Sequence, residues 1–590
     1  MKGKNVMKKI ITLIMVVAMV CLAFAACTPA GTTTTDTTGT TGTTDTTGTT
    51  GTTGTTGTTD KVIDPDLAPD AGYGLGGETP SDIAMFKYKE LDDGTISITG
   101  VYAAQGDEKI TKIVVPAVVV VKDEDGNDVT KKVSKIDESA FATLYDLTEI
   151  VVSGYVTSIE PYAFRDCTAL VTVKLPEYLK TISEGAFIGC SALTAVDFIP
   201  DAVRTLGNRA FEGCASIVSA TIPDGVTSIG THMFYGCKSL TTVKLPEGIT
   251  ALPARMFQDC DALTDLSVIP ATVERLGACM FQDCDGIEVA VIPDTITKVG
   301  TFMFEGCDLL KEVTFSANIT EMPKNMFENC KALETIVIPN QITAMGEKVF
   351  AGCVALKNVT FSENVTVIPN EAFAGCAALE EMELPANIKR IGANAFKGCE
   401  GLLKFTFNEG LETLGVGVFL DCEELVEVKF SSTMTEIPES TFENCKKLKN
   451  TIGDETFVIP ATIKVIGNAA FKSCNKSLVT VTFNEGLETI GDNAFEFCQK
   501  IKAIDLPTTV KSIGKEAFMQ CTSLKTVEFC VADDAEFGAD ILKNSKKVET
   551  ITVKAESTAK AYADAWVETA KELSGYSKKL AVAIAEPVAE

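Results

Sequence analysis

Histidine is almost absent from this chain of 590 residues, which contains His232 alone. Imidazole is the usual general base beside a Ser or Cys nucleophile, and it is a frequent zinc ligand. With a single histidine, the sequence does not indicate a Ser-His-Asp triad, a Cys-His dyad or an HExxH zinc site. His232 occupies a position that holds Tyr162, Cys279 and Phe302 in related segments, which favours a variable surface site. We therefore predict a protein that is not an enzyme, without catalytic residues, cofactor or metal.

Basic residues are also scarce, because 52 Lys and Arg stand against 80 Asp and Glu. The resulting formal net charge of −28 repels phosphate backbones and anionic lipid headgroups. Nucleic acid is thereby excluded as a partner. The charge predicts instead a soluble exported surface.

The abundant acids leave two weaker interpretations open. The turn at Asp123, Asp125, Asn127 and Asp128 has cation-ligand character, but it lacks EF-hand spacing and the late Glu, so a solvated hairpin turn is preferred to calcium binding. A third functional hypothesis is a hydrolase that uses a pair of surface carboxylates, as glycosidases do. With so many acidic residues, some carboxylate pairs will lie about 5 to 10 Å apart by chance.

The apolar run at residues 10–24 is short for a membrane span and follows four lysines, so residues 1–26 are predicted to be a secretory signal peptide. Ala25 and Ala26 precede Cys27, the arrangement that a lipoprotein signal peptidase uses before the Cys is lipidated. We predict lipidation of Cys27. Ordinary cleavage after Ala25 is the alternative.

Residues 27–81 are predicted to form the lipidated Cys and a Thr/Gly-rich linker. From Thr28 to Thr59 the chain is almost entirely Thr and Gly, so it lacks the apolar side chains that offset the entropy of ordering. The Thr density also suits O-glycosylation, although a flexible stalk is preferred. These features predict an extracellular protein at the cell surface, whose contact with the membrane is its lipid anchor.

The dominant pattern is the pair Phe-x-x-Cys, which occurs sixteen times at a step of almost always 23 residues. It begins at Phe164/Cys167 and ends at Phe518/Cys521. A fixed period of this length indicates one structural unit copied many times. The cysteines follow the repeat rather than a bridge pattern, so we interpret them as buried, reduced thiols that act as small apolar residues. Off this ladder, Cys279 is expected to be the most exposed thiol.

Each unit also contains the spacing L-x-x-V-x-L, which predicts a strand with one apolar face. A unit this short cannot bury that face alone, so neighbouring copies must stack with parallel strands. We expect one continuous sheet, with a short helical turn over each AFxxC segment. The predicted fold class is a repeat solenoid, with the parallel β-sheet on one face and short helical turns or loops on the other.

These residues resemble the BspA-like leucine-rich repeats of surface proteins in bacteria and some protists, over roughly Asp82 to Trp566. The resemblance implies a β-hairpin N-terminal cap at 82–135, a solenoid of about 17 units at 136–554, and a helical C-terminal cap with a tail at 555–590. It also implies a lipoprotein for surface recognition or adhesion. It does not specify the ligand.

Outward positions of the predicted strands form the candidate binding face. Its members are polar, of mixed charge and without aromatics, namely Lys174, Lys244, Thr314, Thr360, Glu383 and Lys429. A second candidate is an aromatic patch of Tyr145, Tyr155, Tyr162 and Tyr178, for which packing against the N-terminal cap is preferred to ligand binding. The leading hypothesis is a non-catalytic adhesion lipoprotein that binds a protein on a host or neighbouring cell. The alternative is a structural envelope scaffold that organises other surface proteins.

Overall fold

The computed structural model describes residues 78–102, 109–449, 456–573 and 575–585. The predicted signal peptide, Cys27 and the Thr/Gly-rich stretch lie outside these residues, so the expectations about them stay predictions. Within the described residues the chain forms a solenoid of stacked turns built from short parallel strands. The predicted leucine-rich repeat solenoid is confirmed.

One strand of each turn comes from the L-x-x-V-x-L segment, and we call this series the long row. In its three-residue strands the central residue is buried or half-buried and the flanking residues are more exposed, because successive side chains of a strand alternate between faces. Its strands are Lys112–Val115, Glu149–Val152, Thr172–Lys174, Ala195–Val196, Ser219–Thr221, Thr242–Lys244, Val289–Val291, Glu312–Thr314, Thr335–Val337, Asn358–Thr360, Glu381–Glu383, Lys404–Thr406, Glu427–Lys429, Thr456–Val458, Thr480–Thr482, Ala503–Asp505, Thr526–Phe529, Thr550–Val553 and Ala581–Ile584.

The long row is not the single continuous sheet that the repeat predicts. It divides into several parallel sheets, of which the longest joins the last six strands of the row, beginning with Thr456–Val458. The clearest interruption lies between Thr242–Lys244 and Val289–Val291, where the intervening turn carries an extra residue and forms no strand. The added residue breaks the period of two that keeps side chains in register.

A second series of strands, the short row, was not expected. Each has two residues and comes from the [IV]-x-x-[IL] part of the repeat, just before the turn position that holds Gly or Pro in most units. These strands are Ser158–Ile159, Thr181–Ile182, Thr205–Leu206, Ser228–Ile229, Ala251–Leu252, Arg275–Leu276, Glu321–Met322, Ala344–Met345, Val367–Ile368, Arg390–Ile391, Thr413–Leu414, Glu436–Ile437, Val465–Ile466, Thr489–Ile490, Ser512–Ile513 and Glu536–Phe537.

The AFxxC segments form single turns rather than short helices. Arg165 N donates to Tyr162 O and Cys167 N to Phe164 O, both within one turn. Tyr162 and Asp166 have φ of 60° and 58°, in the left-handed region, and such residues interrupt a right-handed helix. Phe164 N instead bonds to Ala186 O of the next turn at 2.8 Å. The segments therefore add a third set of backbone hydrogen bonds between turns.

Glycine at Gly230 is explained by how closely these turns approach. A Cβ added there would lie 2.3 Å from the backbone N of Asn208 in the preceding turn. Real Cβ atoms do not approach backbone so closely, so a larger residue would separate the two turns.

Stacked phenylalanines form the centre of the solenoid. From Phe141 to Phe518, rings of successive turns have centroids 5.0–6.0 Å apart and planes within 21° of each other. At the N-terminal end Phe86 meets Phe141 edge-on, with an interplanar angle of 76°. The repeated Phe therefore supplies a continuous aromatic column that the first hairpin covers.

The ladder cysteines are buried free thiols, as predicted, but they are more than apolar filler. Each donates from Sγ to the backbone O of the ladder Phe in the preceding turn, at 2.9–3.5 Å. Most of these carbonyls also accept from the backbone N of the Cys three residues on, as Phe164 O does from Cys167 N. The thiol therefore adds a second hydrogen bond, from the next turn, to a buried carbonyl that has two lone pairs. At the C-terminal end Ser545 takes the same place and donates to Phe518 O at 3.0 Å.

Both predicted caps are present. At the N-terminal end Phe86–Glu90 pairs antiparallel with Ile96–Val101, and Val118–Lys122 pairs antiparallel with Asp128–Ile136; a 3-10 turn, Ile83–Met85, precedes them. At the C-terminal end the α-helix Thr558–Glu572 begins at Ser557, whose side chain accepts from Lys560 N. Ala559, Ala563, Val567 and Ala570 form its buried face. The strand Ala581–Ile584, which was not predicted, then pairs with Thr550–Val553 and ends the long row.

Candidate functional site

The outward side of the long row, which we call the strand face, carries the predicted binding residues. Lys174, Lys244, Thr314, Thr360, Glu383 and Lys429 all lie on it and are exposed. Strand register brings some of them close, because Glu383 and Lys429 both neighbour Thr406 on parallel strands. Their side chains are free of the core, so each can change without loss of packing.

Lys174 differs from the other members of the strand face because its charge is neutralised. Its Nζ lies 3.0 Å from Glu78 Oε1 and 3.4 Å from Glu149 Oε1. Glu78 also pairs with Lys112 at 2.7 Å, which completes a cluster of four charges over the first strands of the row. These hydrogen bonds lower the pKa of Glu78 and raise that of Lys174.

The four tyrosines occupy several parts of the repeat. Tyr155 and Tyr178 hold the same position in successive turns, and both are half-buried. Tyr162 lies in an AFxxC segment, where its hydroxyl donates to Glu184 Oε1 at 2.9 Å, and Tyr145 is exposed beyond the first ladder turn. The Lys132 ammonium lies 4.7 Å from the ring centre of Tyr155. Whether these residues bind a ligand remains a prediction.

The interruption of the long row creates a shallow groove. Thr264–Val268 form no strand there, and a groove of about 370 Å³ is lined by residues that include Leu266, Ile269, Val289 and Val291. Val289 and Val291 are exposed at 41% and 55%. This is the most apolar part of the strand face, and the single extra residue at Val268-Ile269 is its sequence signal.

A larger pocket of about 820 Å³ lies at the carboxyl ends of the last strands of the long row. Its apolar lining includes Phe483, Leu506, Pro507 and Ile584. Three carboxylates line it as well, and these are Glu485, Asp505 and Glu528. Asp505 and Glu528 are register neighbours on parallel strands and belong to the outward row, but their pairing into a pocket was not predicted.

The remaining reactive groups are not arranged as a catalytic pair. His232 is half-buried, its Nδ1 lies 3.0 Å from the hydroxyl of Thr231, and its ring meets Tyr235 edge-on. Burial, with the charges of Arg209 and Arg255, lowers the pKa of His232, so its imidazole is neutral at physiological pH. Across the described residues, no group of three or more His, Cys, Asp or Glu could hold a metal ion.

The expectation about Cys279 is wrong. Its side chain is 4% exposed, because the equivalent positions of the adjacent turns carry the larger Arg255 and Phe302. Cys530 in the C-terminal pocket is half-buried and the most accessible of the described thiols. Burial, and a hydrogen bond with Glu528, raise the pKa of Cys530 to about 11.

Comparison with protein families gives a clear assignment. The model of the BspA type leucine-rich repeat region matches residues 134–264, 262–380, 366–456 and 449–565, which together cover most of the chain. This chain belongs to the BspA-type leucine-rich repeat family. The family match begins within the last strand of the N-terminal cap and ends within the C-terminal helix.

Solved structures similar to this BspA-type chain are themselves leucine-rich repeat or surface proteins. A leucine-rich repeat protein of Bacteroides ovatus is 21% identical, over 85% of this chain and 99% of its own, with a TM-score of 0.33. A leucine-rich cell surface protein of Faecalibacterium prausnitzii is 25% identical, over 60% and 96%, with a TM-score of 0.43. The pneumococcal vaccine antigen PcpA is 14% identical, over 86% and 98%, with a TM-score of 0.34. Comparison with curated proteins gave no match.

No helix among the residues that the structure describes is long and apolar enough to cross a membrane.

Proposed function

We propose that this BspA-type chain is a non-catalytic surface protein that binds protein partners through its strand face. The observation that carries the proposal is the exposed-buried-exposed pattern of the long row, as in Thr172–Lys174 or Glu381–Glu383. The buried side chains pack in the core, which restricts the residue types allowed there. The outward positions recur on every turn that has a strand, and core packing does not restrict their residue type. Such an extended, variable surface is what repeat proteins use for recognition.

The chemistry of the strand face favours a broad polar contact. Threonines and lysines alternate with glutamates, and Val291 and Val337 add exposed apolar surface between them. Tight interfaces generally centre on Trp, Tyr or Arg, which these positions lack. Affinity is therefore expected to be distributed over several turns rather than concentrated in one residue.

The proposed location is the cell surface, with attachment through a lipid on Cys27. One acyl chain alone holds a protein weakly, whereas a diacylglyceryl group supplies two chains and gives stable anchoring. Replacement of Cys27 by Ala should release the protein into the medium. Membrane retention of that variant would contradict the anchor.

The test of binding is capture of partners by the full-length protein from extracellular-matrix proteins, host cells and envelope extracts. Charge reversal at Lys244, Glu383 or Lys429 should weaken capture of a partner from outside the producing cell. Lys397→Glu is the matched control, because Lys397 is equally exposed but lies in an AFxxC segment. If the three strand-face variants and this control behave alike, the strand face is not the binding surface. Capture of envelope proteins alone would favour the scaffold hypothesis.

A further inference from the structure

We propose that the C-terminal pocket receives a lysine or arginine side chain from a basic segment of a polypeptide partner. This inference rests on the proposed function, since it identifies the chemistry of one partner contact on the strand face. The pocket is the 820 Å³ cavity bounded by the ends of the last five strands of the long row. The pocket is a concave site at the edge of the strand face, which is otherwise exposed to solvent.

The first argument is electrostatic. Glu485, Asp505 and Glu528 line the pocket, and none of the three has an ion-pair partner among the described residues. The one cation in the lining, Lys554, pairs with none of the three: its Nζ donates to Val531 O at 3.0 Å and lies 3.5 Å from Asp533. The pocket therefore presents uncompensated negative charge.

The cluster of three carboxylates differs from the lysine–carboxylate pairs that join many other turns. Elsewhere a carboxylate commonly pairs with a lysine one turn away, as Glu288 does with Lys311 at 2.6 Å and Glu488 with Lys511 at 2.7 Å. At the pocket the same repeat geometry brings acids together instead. Burial, and the charges of Glu528 and Glu485, raise the pKa of Asp505, which reports the repulsion that a bound cation would relieve.

Two of the three carboxylates, Glu485 and Glu528, are held by hydrogen bonds to neighbours. Glu485 accepts from Thr508 N and Thr508 Oγ1, both at 3.2 Å. The thiol of Cys530 lies 3.4 Å from Glu528 Oε1. Ordered acceptors bind a cation at lower entropic cost than mobile ones.

The second argument is the apolar lining, which distinguishes an organic cation from a metal ion. Phe483, Leu506 and Pro507 form buried lining, and Ile584 contributes a side chain that is 48% exposed. Lysine and arginine combine a methylene stem with a charged end, so they match apolar walls and an acidic rim together. The carboxylates are not grouped as metal ligands in the described part of the chain. The volume also accommodates neighbouring residues of a peptide.

The test uses full-length protein and a fluorescent heptapeptide in which two lysines alternate with leucines. The same peptide with glutamine in place of both lysines is the control probe. We expect the lysine peptide to bind at least about tenfold more tightly, because charge-assisted hydrogen bonds are made to it alone. The double variant Asp505→Asn/Glu528→Gln should lose at least about tenfold of that affinity.

A matched variant separates the pocket from general negative charge. Asp224→Asn/Glu400→Gln removes two exposed carboxylates that do not line the pocket, and it should retain the affinity within about twofold. Ile584→Lys places a cation on the rim and should abolish binding of the lysine peptide. Equal loss in the two double variants, or no loss in the pocket variant, would overturn the inference. Saturation by spermidine or Ca²⁺ without binding of the peptide would overturn it too.

These results also distinguish the inference from the proposed function. If partner capture succeeds and is indifferent to Asp505→Asn/Glu528→Gln, the pocket assignment fails while the proposed function stands. If the pocket variant loses the lysine peptide but the wild-type protein captures no protein partner, the pocket assignment stands and the proposed function fails.

Discussion

The ladder positions and the strand face both occur once in each turn of the repeat, yet they behave in opposite ways. At the ladder, Phe and Cys recur from Phe164 to Cys521 with every ring and thiol buried. At the strand face the outward residue changes from Lys to Thr to Val to Glu along the chain. Each turn therefore contains ladder positions where the residue type is nearly constant and a strand-face position where the residue type varies.

The physical cause is the number of demands placed on each position. A ladder Phe must stack on two neighbours, and a ladder Cys must fill a small space and satisfy a carbonyl of the preceding turn. An outward residue touches mainly solvent and its two row neighbours. Regularity therefore identifies what holds the solenoid together, whereas variation identifies the surface available for function.

The largest effect should come from breaking the aromatic column. Phe327 is fully buried, with ring centroids 5.7 Å from Phe304 and 5.6 Å from Phe350. Phe327→Ala should lower the free energy of unfolding by about 3 to 5 kcal/mol, because it removes buried area and leaves a cavity. Denaturant unfolding followed by circular dichroism measures this. Thr360→Ala, on the strand face, should change stability by less than about 0.5 kcal/mol. Similar losses in both variants would erase the distinction between the two positions.

A smaller effect should separate the two roles of the ladder thiol. Cys330 Sγ donates to Phe304 O at 3.1 Å. Phe304 O also accepts from Cys307 N at 3.2 Å, so Cys330→Ala removes one of two donors and leaves a small cavity. It should cost about 2 kcal/mol, whereas Cys330→Ser keeps a donor and should cost about 1 kcal/mol. Ser545 already serves this way in the last turn. If Ser is more damaging than Ala, the thiol matters for its apolar volume and the hydrogen bond does not stabilise the fold.

Thiol reactivity gives a third comparison, between the ladder and the strand face. In a Cys27→Ala background, Cys530 should react first with a maleimide or disulfide reagent, because it is the half-buried thiol. Its raised pKa of about 11 means that the thiolate fraction, and hence the rate, increases about tenfold per pH unit up to that value. Burial raises the pKa of Cys167 to about 12, and the ladder should react only on unfolding.

Two single variants assign the fast reaction. Cys530→Ser should remove it, whereas Cys279→Ser should leave it unchanged because Cys279 is buried. A fast phase that disappears with Cys279 instead would show that the turn at Arg255 and Phe302 opens in solution.

Sequence alone predicted the features that repeat. The step of 23 residues gave the stacking, the long row and the buried ladder, because each depends on spacing within one turn. It missed the last turn, where Leu542 and Ser545 replace Phe and Cys, although backbone pairing of Phe518 with Ile541 continues the pattern. The short row was missed because two-residue strands have too few positions to show an alternation.

The features of the candidate site that escaped prediction depend on distant residues. Glu78 reaches Lys174 across 96 positions of sequence, so no local pattern signals the neutralised lysine. The C-terminal pocket draws on four turns and on Ala581–Ile584, a strand outside the repeat. Uneven burial of otherwise equivalent positions, as at Cys279, likewise depends on the size of side chains in the adjacent turns.

The smallest expected effect concerns charges that pair between turns. Lys357 Nζ lies 2.9 Å from Glu334 Oε2, with 52% and 61% of the two side chains exposed. Solvent screens such a pair strongly, so a double-mutant cycle with Lys357→Ala and Glu334→Ala should give a coupling of at most about 0.5 kcal/mol. In 1 M salt the coupling should vanish, since the screening length falls to about 3 Å. A coupling above about 1 kcal/mol that persists in salt would mean that surface ion pairs stabilise the stacking of turns, as the ladder residues do. The residue types on the strand face would then be more restricted than their exposure indicates.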